Sequence, residues 1–310
     1  MNNINNDLVS VLIPVFNVGL YVEDAIDSIL CQTYRNIEVI IIDDCSTDDT
    51  YEKAFKYSLI DERVKVYKNE VNSKICLTLN KAFELSKGRY ILRMDGDDIC
   101  DSDRIERKLN YLKVNEIDLV GCSTKTIDIN GNHIGNSKAL DEQRIIIKTL
   151  KYRTPVQHIW LAKREIYETL NGYRNIPGVE DYDFLLRSIE NGYKVGNISN
   201  YFGYSVRVAR VGNTIASMGI RQKKLHNIVW NQYKKRQKSH KSNLDVNEVK
   251  IKVSRVNLYL FSISTKMLNN AILNKKRPFI FLFYFLLSFI SPYQCKFHIE
   301  RIVYKFLVKV

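Results

Sequence analysis

The sequence predicts an α/β fold, a doubly wound and mostly parallel sheet flanked by helices, with a C-terminal helical extension. Three observations carry this. Short β-branched runs alternate with helix-patterned segments through the first part of the chain. Those runs are apolar at successive positions, as in strands buried on both faces. Beyond about residue 215 the pattern turns helical and rich in lysine.

The elements follow in order. Residues 8–15 (LVSVLIPV) read as a buried strand, and Val22, Ala25, Ile26, Ile29 and Leu30 then keep helical spacing. Residues 37–43 (IEVIIID) make a second strand. Ser46, Thr47 and Asp48 offer capping chemistry to the helix after it. RVKVYKN is a third strand, followed by a helical period over residues 75–85. RYILRMD (residues 89–95) is a fourth, DRIERKLNYLK a helix and IDLVGC a fifth strand. Such alternation implies parallel pairing. Binding groups in these sheets gather beyond the carboxyl ends of the strands. Three strands end there in acidic or turn residues: Asn17, Asp43 with Asp44, and residues 95–98. From about residue 126 the alternation fades. IDINGNHIG is expected to form a hairpin around Asn130 and Gly131, residues 178–191 a helix, and residues 193–207 irregular strands.

A chain of 310 residues holds more than one minimal domain, and the change of pattern divides it into residues 1–215 and 216–310. An apolar fraction of 45% with 26% charged residues excludes general disorder, the Asn-rich leader at residues 2–6 apart. Lys and Arg number 47 against 34 Asp and Glu, a net charge of +13. That surface favours polyanions: nucleic acid, anionic lipid head groups or diphosphate-bearing substrates. Six cysteines with no CxxC pair argue against a zinc site or a disulfide framework, and for reduced thiols. The N-terminus lacks a basic stretch followed by an apolar run, so the chain is expected to stay in the cytoplasm. No GxGxxG, Walker loop or GxSxG elbow is present, which removes the usual dehydrogenase, NTPase and hydrolase readings.

Three acidic groups carry candidate chemistry. RMDGDD sets Asp95, Asp97 and Asp98 just past a buried strand, where crowded carboxylates call for a neutralising cation. Mg²⁺ or Mn²⁺ takes one or two protein carboxylates and completes its shell with water and phosphate oxygens. A solvated turn around Gly96 is the plainer alternative. Asp43 and Asp44 offer acceptors for a base N–H or a ribose hydroxyl, the alternative being capping and turn formation by Asp44, Ser46 and Asp48. Glu180 and Asp181 open a helix, where they either cap it or supply a general base. His158, in TPVQHIW, is a lone histidine of the kind more often structural than catalytic.

Taken in order, VSVLIPVFN, YVEDAIDSILCQTYRNIEVIIIDDCSTDDT, LNKAFELSKGRYILRMDGDD, NGYR and EDYDFLLRS resemble the family 2 glycosyltransferases, with the fold called GT-A. The resemblance spans residues 8–210. It implies an inverting transferase that moves a sugar from a nucleoside-diphosphate sugar, UDP-linked by expectation. The acceptor it implies is a hydroxyl of a glycan or lipid-linked molecule in cell-surface polysaccharide synthesis. It also implies that Pro14 and Asn17 line the nucleotide pocket and that Asp44 contacts the base. Asp95 and Asp97 would be the DxD acids holding Mg²⁺ or Mn²⁺ and the diphosphate, and Asp181 the catalytic base beside Glu180. Three departures stand out. Lys74 replaces a frequent Gly, Asp101 and Ser102 stand where a proline is common, and Ser205 follows Tyr204 where an Arg is usual, with Arg207 two places later.

The tail carries an apolar run at residues 279–290, too short to cross a bilayer, which takes about 20 residues. Ile299, Ile302, Val303, Phe306, Leu307 and Val310 then share a helical face, with Glu300, Arg301, Lys305 and Lys309 off it. This pattern fits in-plane attachment to an anionic membrane surface, hence a peripheral place on the inner face of the cell membrane. The alternative is a helical pair packed on the catalytic domain or on a second copy. Two other functions compete. A metal-dependent nucleotidyltransferase calls for a Gly-rich, Arg/Lys-bearing loop where PVFNVGLYVED stands. Nucleic-acid binding through the basic run at residues 234–241 lacks interleaved aromatics, so no nucleic-acid partner is expected.

Overall fold

The structure, a computed structural model, describes residues 6–208, 214–239 and 251–309. Residues 2–5 of the leader, Arg210, His240 and Lys241 of the basic run, and Val310 lie outside the described residues.

The strands are β1 (Val9–Val15), β2 (Ile37–Asp43), β3 (Val64–Lys68), β4 (Tyr90–Arg93), β5 (Ile99–Cys100), β6 (Leu119–Cys122), β7 (Thr124–Ile127), β8 (His133–Ser137), β9 (Leu161–Lys163), β10 (Val195–Ile198) and β11 (Tyr204–Arg207). The helices are α1 (Val22–Leu30), α2 (Thr50–Ile60), α3 (Lys74–Leu85), α4 (Arg104–Val114), α5 (Gln143–Thr149), α6 (Arg164–Leu170), α7 (Glu180–Glu190), α8 (Thr214–Ser239), α9 (Arg255–Leu273), α10 (Pro278–Leu287) and α11 (Pro292–Lys309).

Seven strands form the main sheet in the order β10-β6-β9-β4-β1-β2-β3. Four of its six pairings are parallel, as the alternating pattern predicts. The other two involve β9, which runs antiparallel between β4 and β6. Consecutive side chains on β1 point to opposite faces. Val9, Val11, Ile13 and Val15 therefore pack on Val22, Ile26 and Ile29 of α1, while Leu12 joins Leu79 of α3, Trp160 and Phe184 of α7 on the other side. A smaller sheet, β5-β11-β7-β8, carries the predicted hairpin at β7 and β8.

One register difference positions the site. β1 pairs with β2 over its whole length, Val9↔Ile37 to Val15↔Asp43, but with β4 only from Val9↔Tyr90 to Leu12↔Arg93. Past Leu12 the regular ladder between β1 and β4 ends, and the segment after β4 becomes a loop that touches Val15 through Gly96 and borders the crevice beyond the carboxyl end of β1. Pro14, which has no N–H to offer a neighbour, falls in this one-sided stretch.

The extension does not stand apart. Leu225, Val229 and Tyr233 of α8 complete the α7 side of the core, and Arg236 pairs with Glu190. α11 rests against α5, and Lys223 of α8 pairs with Glu300 of α11 at 2.5 Å. In contrast, α10 buries none of its residues. Among the described residues no single helix is long and apolar enough to cross a membrane, and the chain from Pro278 to Lys309 bends by 117°.

Candidate active site

Three loops meet at the crevice. The first follows β1. Asn17 has φ +51°, a left-handed conformation that asparagine tolerates better than most residues. Its N–H donates to Ser46 Oγ and its Oδ1 accepts from the Thr47 N–H, so it ties the β1 loop to the β2 loop.

The second loop follows β2. Asp43 is fully buried, with Oδ2 accepting from the Ser46 N–H. Asp44 is buried too, and it does not cap α2. Its Oδ1 accepts from Asn69 Nδ2 and the Ser73 N–H, and its Oδ2 from the Lys74 N–H at 2.9 Å. Asp44 thus fastens the start of α3 to the end of β2. Lys74, at φ +67°, occupies a backbone region that favours glycine, which explains the glycine frequent there in the family it resembles.

The third loop carries the acids after β4. Gly96 is required by close approach, because a Cβ there would lie 2.5 Å from Val15 Cγ1. The backbone N–H of Asp95 donates to Tyr204 Oη, and Arg207 donates from its N–H to Asp98 Oδ1 and from Nε to the Asp97 carbonyl. The arginine that stands two places late in the sequence pattern therefore reaches the acidic loop. Asp98 is lifted well above the usual carboxylate range by burial and by the charges of Asp97 and Asp95.

From these loops a chain of charges runs to the start of α7. His158 Nε2 lies 2.8 Å from Asp95 Oδ2, and its Nδ1 lies 3.7 Å from Asp181 Oδ2. Arg93, at the end of β4, lies 3.4 Å from both Asp95 Oδ1 and Glu180 Oε1. Burial disfavours charge on His158, but Asp95 and Asp181 outweigh it and hold the imidazole up at about 9. Burial likewise opposes charge on Asp95 and Asp181, yet His158 and Arg93 keep both below the ordinary carboxylate range. Glu180 is raised, mainly by burial. At α7 the backbone also contributes, since Glu180 Oε2 accepts from the Gly178 N–H and Asp181 Oδ1 from the Tyr182 N–H. Side-chain exposures of 27% for Asp95, 30% for His158 and 21% for Asp181 leave each within reach of a substrate.

The structure thus joins Asp95, Glu180 and Asp181 in one cluster, with Asp97 on the same loop as Asp95. It puts Pro14, Asn17 and Asp44 along the neighbouring strand ends. It adds Arg93 and His158 to the cluster. His158, a lone histidine in the sequence, lies between two of the acids. Its position just before β9, which enters the sheet beside β4, accounts for this, and no motif in the sequence announces it.

Among the described residues no three His, Cys, Asp or Glu side chains form a complete metal cage. Mg²⁺ or Mn²⁺ bound with a diphosphate needs only one or two carboxylates. Asp95 is engaged by His158 and Arg93, and Asp98 is raised first by burial and then by the charges of Asp97 and Asp95, so the loop crowds three carboxylates together. Asp95 and Asp97 are the carboxylates this loop would offer to such a cation.

Comparison with solved structures fixes the architecture as that of a GT-A glycosyltransferase. Staphylococcus aureus TarS 1–349, solved in complex with UDP-GlcNAc, superposes with a TM-score of 0.59 at 18% identity, over 84% of this chain and 80% of that one. The mannosyltransferase PcManGT from Pyrobaculum calidifontis, solved with GDP-Man and Mn²⁺, gives a TM-score of 0.56 at 15% identity over 95% and 86%. The family model for glycosyl transferase family 2 matches residues 10–170, and the chain belongs to that family. The O-antigen biosynthesis glycosyltransferase WbnJ of Escherichia coli is 34% identical over 185 residues, 58% of this chain and 71% of that protein. The protein is therefore a glycosyltransferase, which decides against nucleotidyl transfer.

Proposed function

We propose that this glycosyltransferase inverts configuration while moving a sugar from a nucleoside-diphosphate donor, UDP-linked, to a hydroxyl of a glycan or lipid-linked acceptor in cell-surface polysaccharide synthesis. The observation that carries this is the chain Asp95–His158–Asp181, which brings a carboxylate kept charged within one imidazole of the acidic loop. Asp181 takes the proton of the acceptor hydroxyl as its oxygen bonds to the sugar C1, and the bond from C1 to the diphosphate oxygen breaks on the opposite face. Arg93 and His158 hold Asp95, Glu180 and Asp181 in place for that step. Pro14, Asn17 and Asp44 line the nucleotide side. Asp44 acts there partly by fixing the α3 loop. Mg²⁺ or Mn²⁺ held by Asp97, with Asp95 behind it, would neutralise charge on the departing diphosphate.

The sheet and its crevice make up a catalytic unit of residues 1–215. Residues 216–310 form the extension whose exposed α10 face attaches to the inner surface of the cell membrane. TarS and WbnJ support the donor and pathway by their own descriptions. The test is a panel of nucleotide sugars with Mg²⁺, Mn²⁺ or EDTA, scored for metal-dependent release of nucleoside diphosphate. Turnover unaffected by EDTA would remove the cation from the mechanism, and retained anomeric configuration in the product would remove direct displacement.

A further inference from the structure

A cavity of about 840 Å³ opens beside Asp181, away from the nucleotide crevice. Of the acids and strand-end residues assigned above, Asp181 is on its wall, while Pro14, Asn17, Asp44, Asp95 and Asp97 are not. Its remaining walls come from the segment after α5 that bears Arg153, the segment before α7, α7 itself, and α8, α9 and α11. Gly219 of α8 admits the ring of Phe261 of α9, since a Cβ there would lie 2.6 Å from Phe261 Cε1.

Three features describe an occupant. First, His226 on this wall is more than nine-tenths buried and stacks on Tyr182 at 3.8 Å between ring centres. Neither of its ring nitrogens has a hydrogen-bond partner among the described residues. A buried imidazole left this way carries an uncompensated desolvation penalty, which a ligand offering a hydroxyl would relieve. Second, Arg153 and Arg301 reach the cavity with no carboxylate partner among the described residues, while Lys223 there is neutralised by Glu300. Third, Leu268, Ile272 and Phe297 make much of the lining apolar.

The helix α11 shows where such a molecule enters. Phe297, Arg301 and Tyr304 face the cavity, whereas Ile299, Ile302 and Phe306 are exposed on the opposite side. At 3.6 residues per turn these two sets lie on opposite stripes of one helix. One stripe thus walls the cavity while the other stays exposed.

We propose that this cavity is the acceptor site and that it takes a sugar carried on a lipid phosphate. The sugar hydroxyls meet Asp181 and His226, the phosphate meets Arg153 and Arg301, and the first isoprenoid or acyl carbons lie on the α9 and α11 side chains. This rests on the reading of Asp181 as the base. A free glycan would leave the apolar wall uncovered, and a neutral lipid would leave both arginines unmatched.

The probe is farnesyl diphosphate N-acetylglucosamine bearing a photoreactive chain, presented in phosphatidylcholine vesicles. Labelling is expected on Phe261, Leu268 and Phe297. It is expected to drop at least tenfold when both surface arginines are changed, Arg153→Gln with Arg301→Gln, and at least threefold in His226→Phe, which keeps the stack on Tyr182. Lys305→Gln, which removes a charge from α11 outside the cavity, should hold labelling within twofold. Labelling confined to α10, equal loss in Lys305→Gln, no loss in the arginine variant, or equal competition by phosphatidylglycerol would each overturn the proposal, the last by revealing a general headgroup site. An Asp181→Asn enzyme that still transfers sugar would instead sink the base assignment, with labelling intact.

Discussion

Lys74 sits with φ +67° and donates its N–H to Asp44 Oδ2. The left-handed region costs an L-residue about 1–2 kcal/mol, and glycine escapes that cost. Lys74→Gly is therefore expected to unfold later in denaturant than Lys74→Ala, by about 1 kcal/mol. At Asp181 the expectation concerns chemistry. Asp181→Asn keeps the shape of the side chain and its place beside His158 but removes the proposed base, so kcat should fall by about 10²–10⁴ while the Kd for the nucleotide sugar stays put. Asp97→Asn should do the reverse, weakening donor binding in Mn²⁺ and narrowing the gap between Kd values with and without metal, as titration calorimetry would show. Asp95, Asp97, Glu180 and Asp181 are legible as candidates because each follows a strand or opens a helix in an ordered set of motifs. His158 is not, because its role depends on β9 entering the sheet beside β4 rather than on any neighbour in sequence.

Among the elements, α4 carries two cations into the interior. Arg104 and Lys108 are fully buried, and both donate to the Ile159 carbonyl, Arg104 also to that of Arg93. They fasten the end of β4 and the segment entering β9, which bear the residues on either side of Asp95 and His158. Burial pushes Lys108 down to about 7. An ordinary lysine titrates near 10.4, roughly the value in the unfolded chain. Between these values the unfolded chain binds a proton that the folded one does not, so this group's contribution to stability rises with pH. The Tm of Lys108→Met minus that of the parent is expected to be largest at and below pH 7 and to shrink toward pH 9, read by calorimetry. The same region marks the limit of sequence reading. The long apolar runs of β1 and β2 declare themselves, but β9 has only three residues and β5 only two, so their pairing is decided by the surrounding packing.

At the scale of the whole molecule, the proposed attachment to an anionic lipid surface draws on the net charge of +13 and on the exposed side chains Phe279, Phe283 and Leu286 of α10. Replacing Phe279 and Phe283 with Ser removes two large apolar groups, each of which contributes about 1.5–3 kcal/mol when fully buried. The variant is expected to leave phosphatidylglycerol vesicles in a flotation assay while still releasing nucleoside diphosphate from the donor. Of the two fates the sequence leaves open for the tail, the structure shows packing on the protein: α11 rests on α5, and α10 lies along α9 with Phe279, Phe283 and Leu286 exposed.

Arg207 has a further consequence. It comes more than a hundred positions after the acidic turn whose Asp97 carbonyl and Asp98 carboxylate it clasps. A ribosome that has delivered only the first sheet strands has made the acids but not their fastener. The emerging polypeptide should therefore gain affinity for donor late and abruptly, once β11 has cleared the exit tunnel.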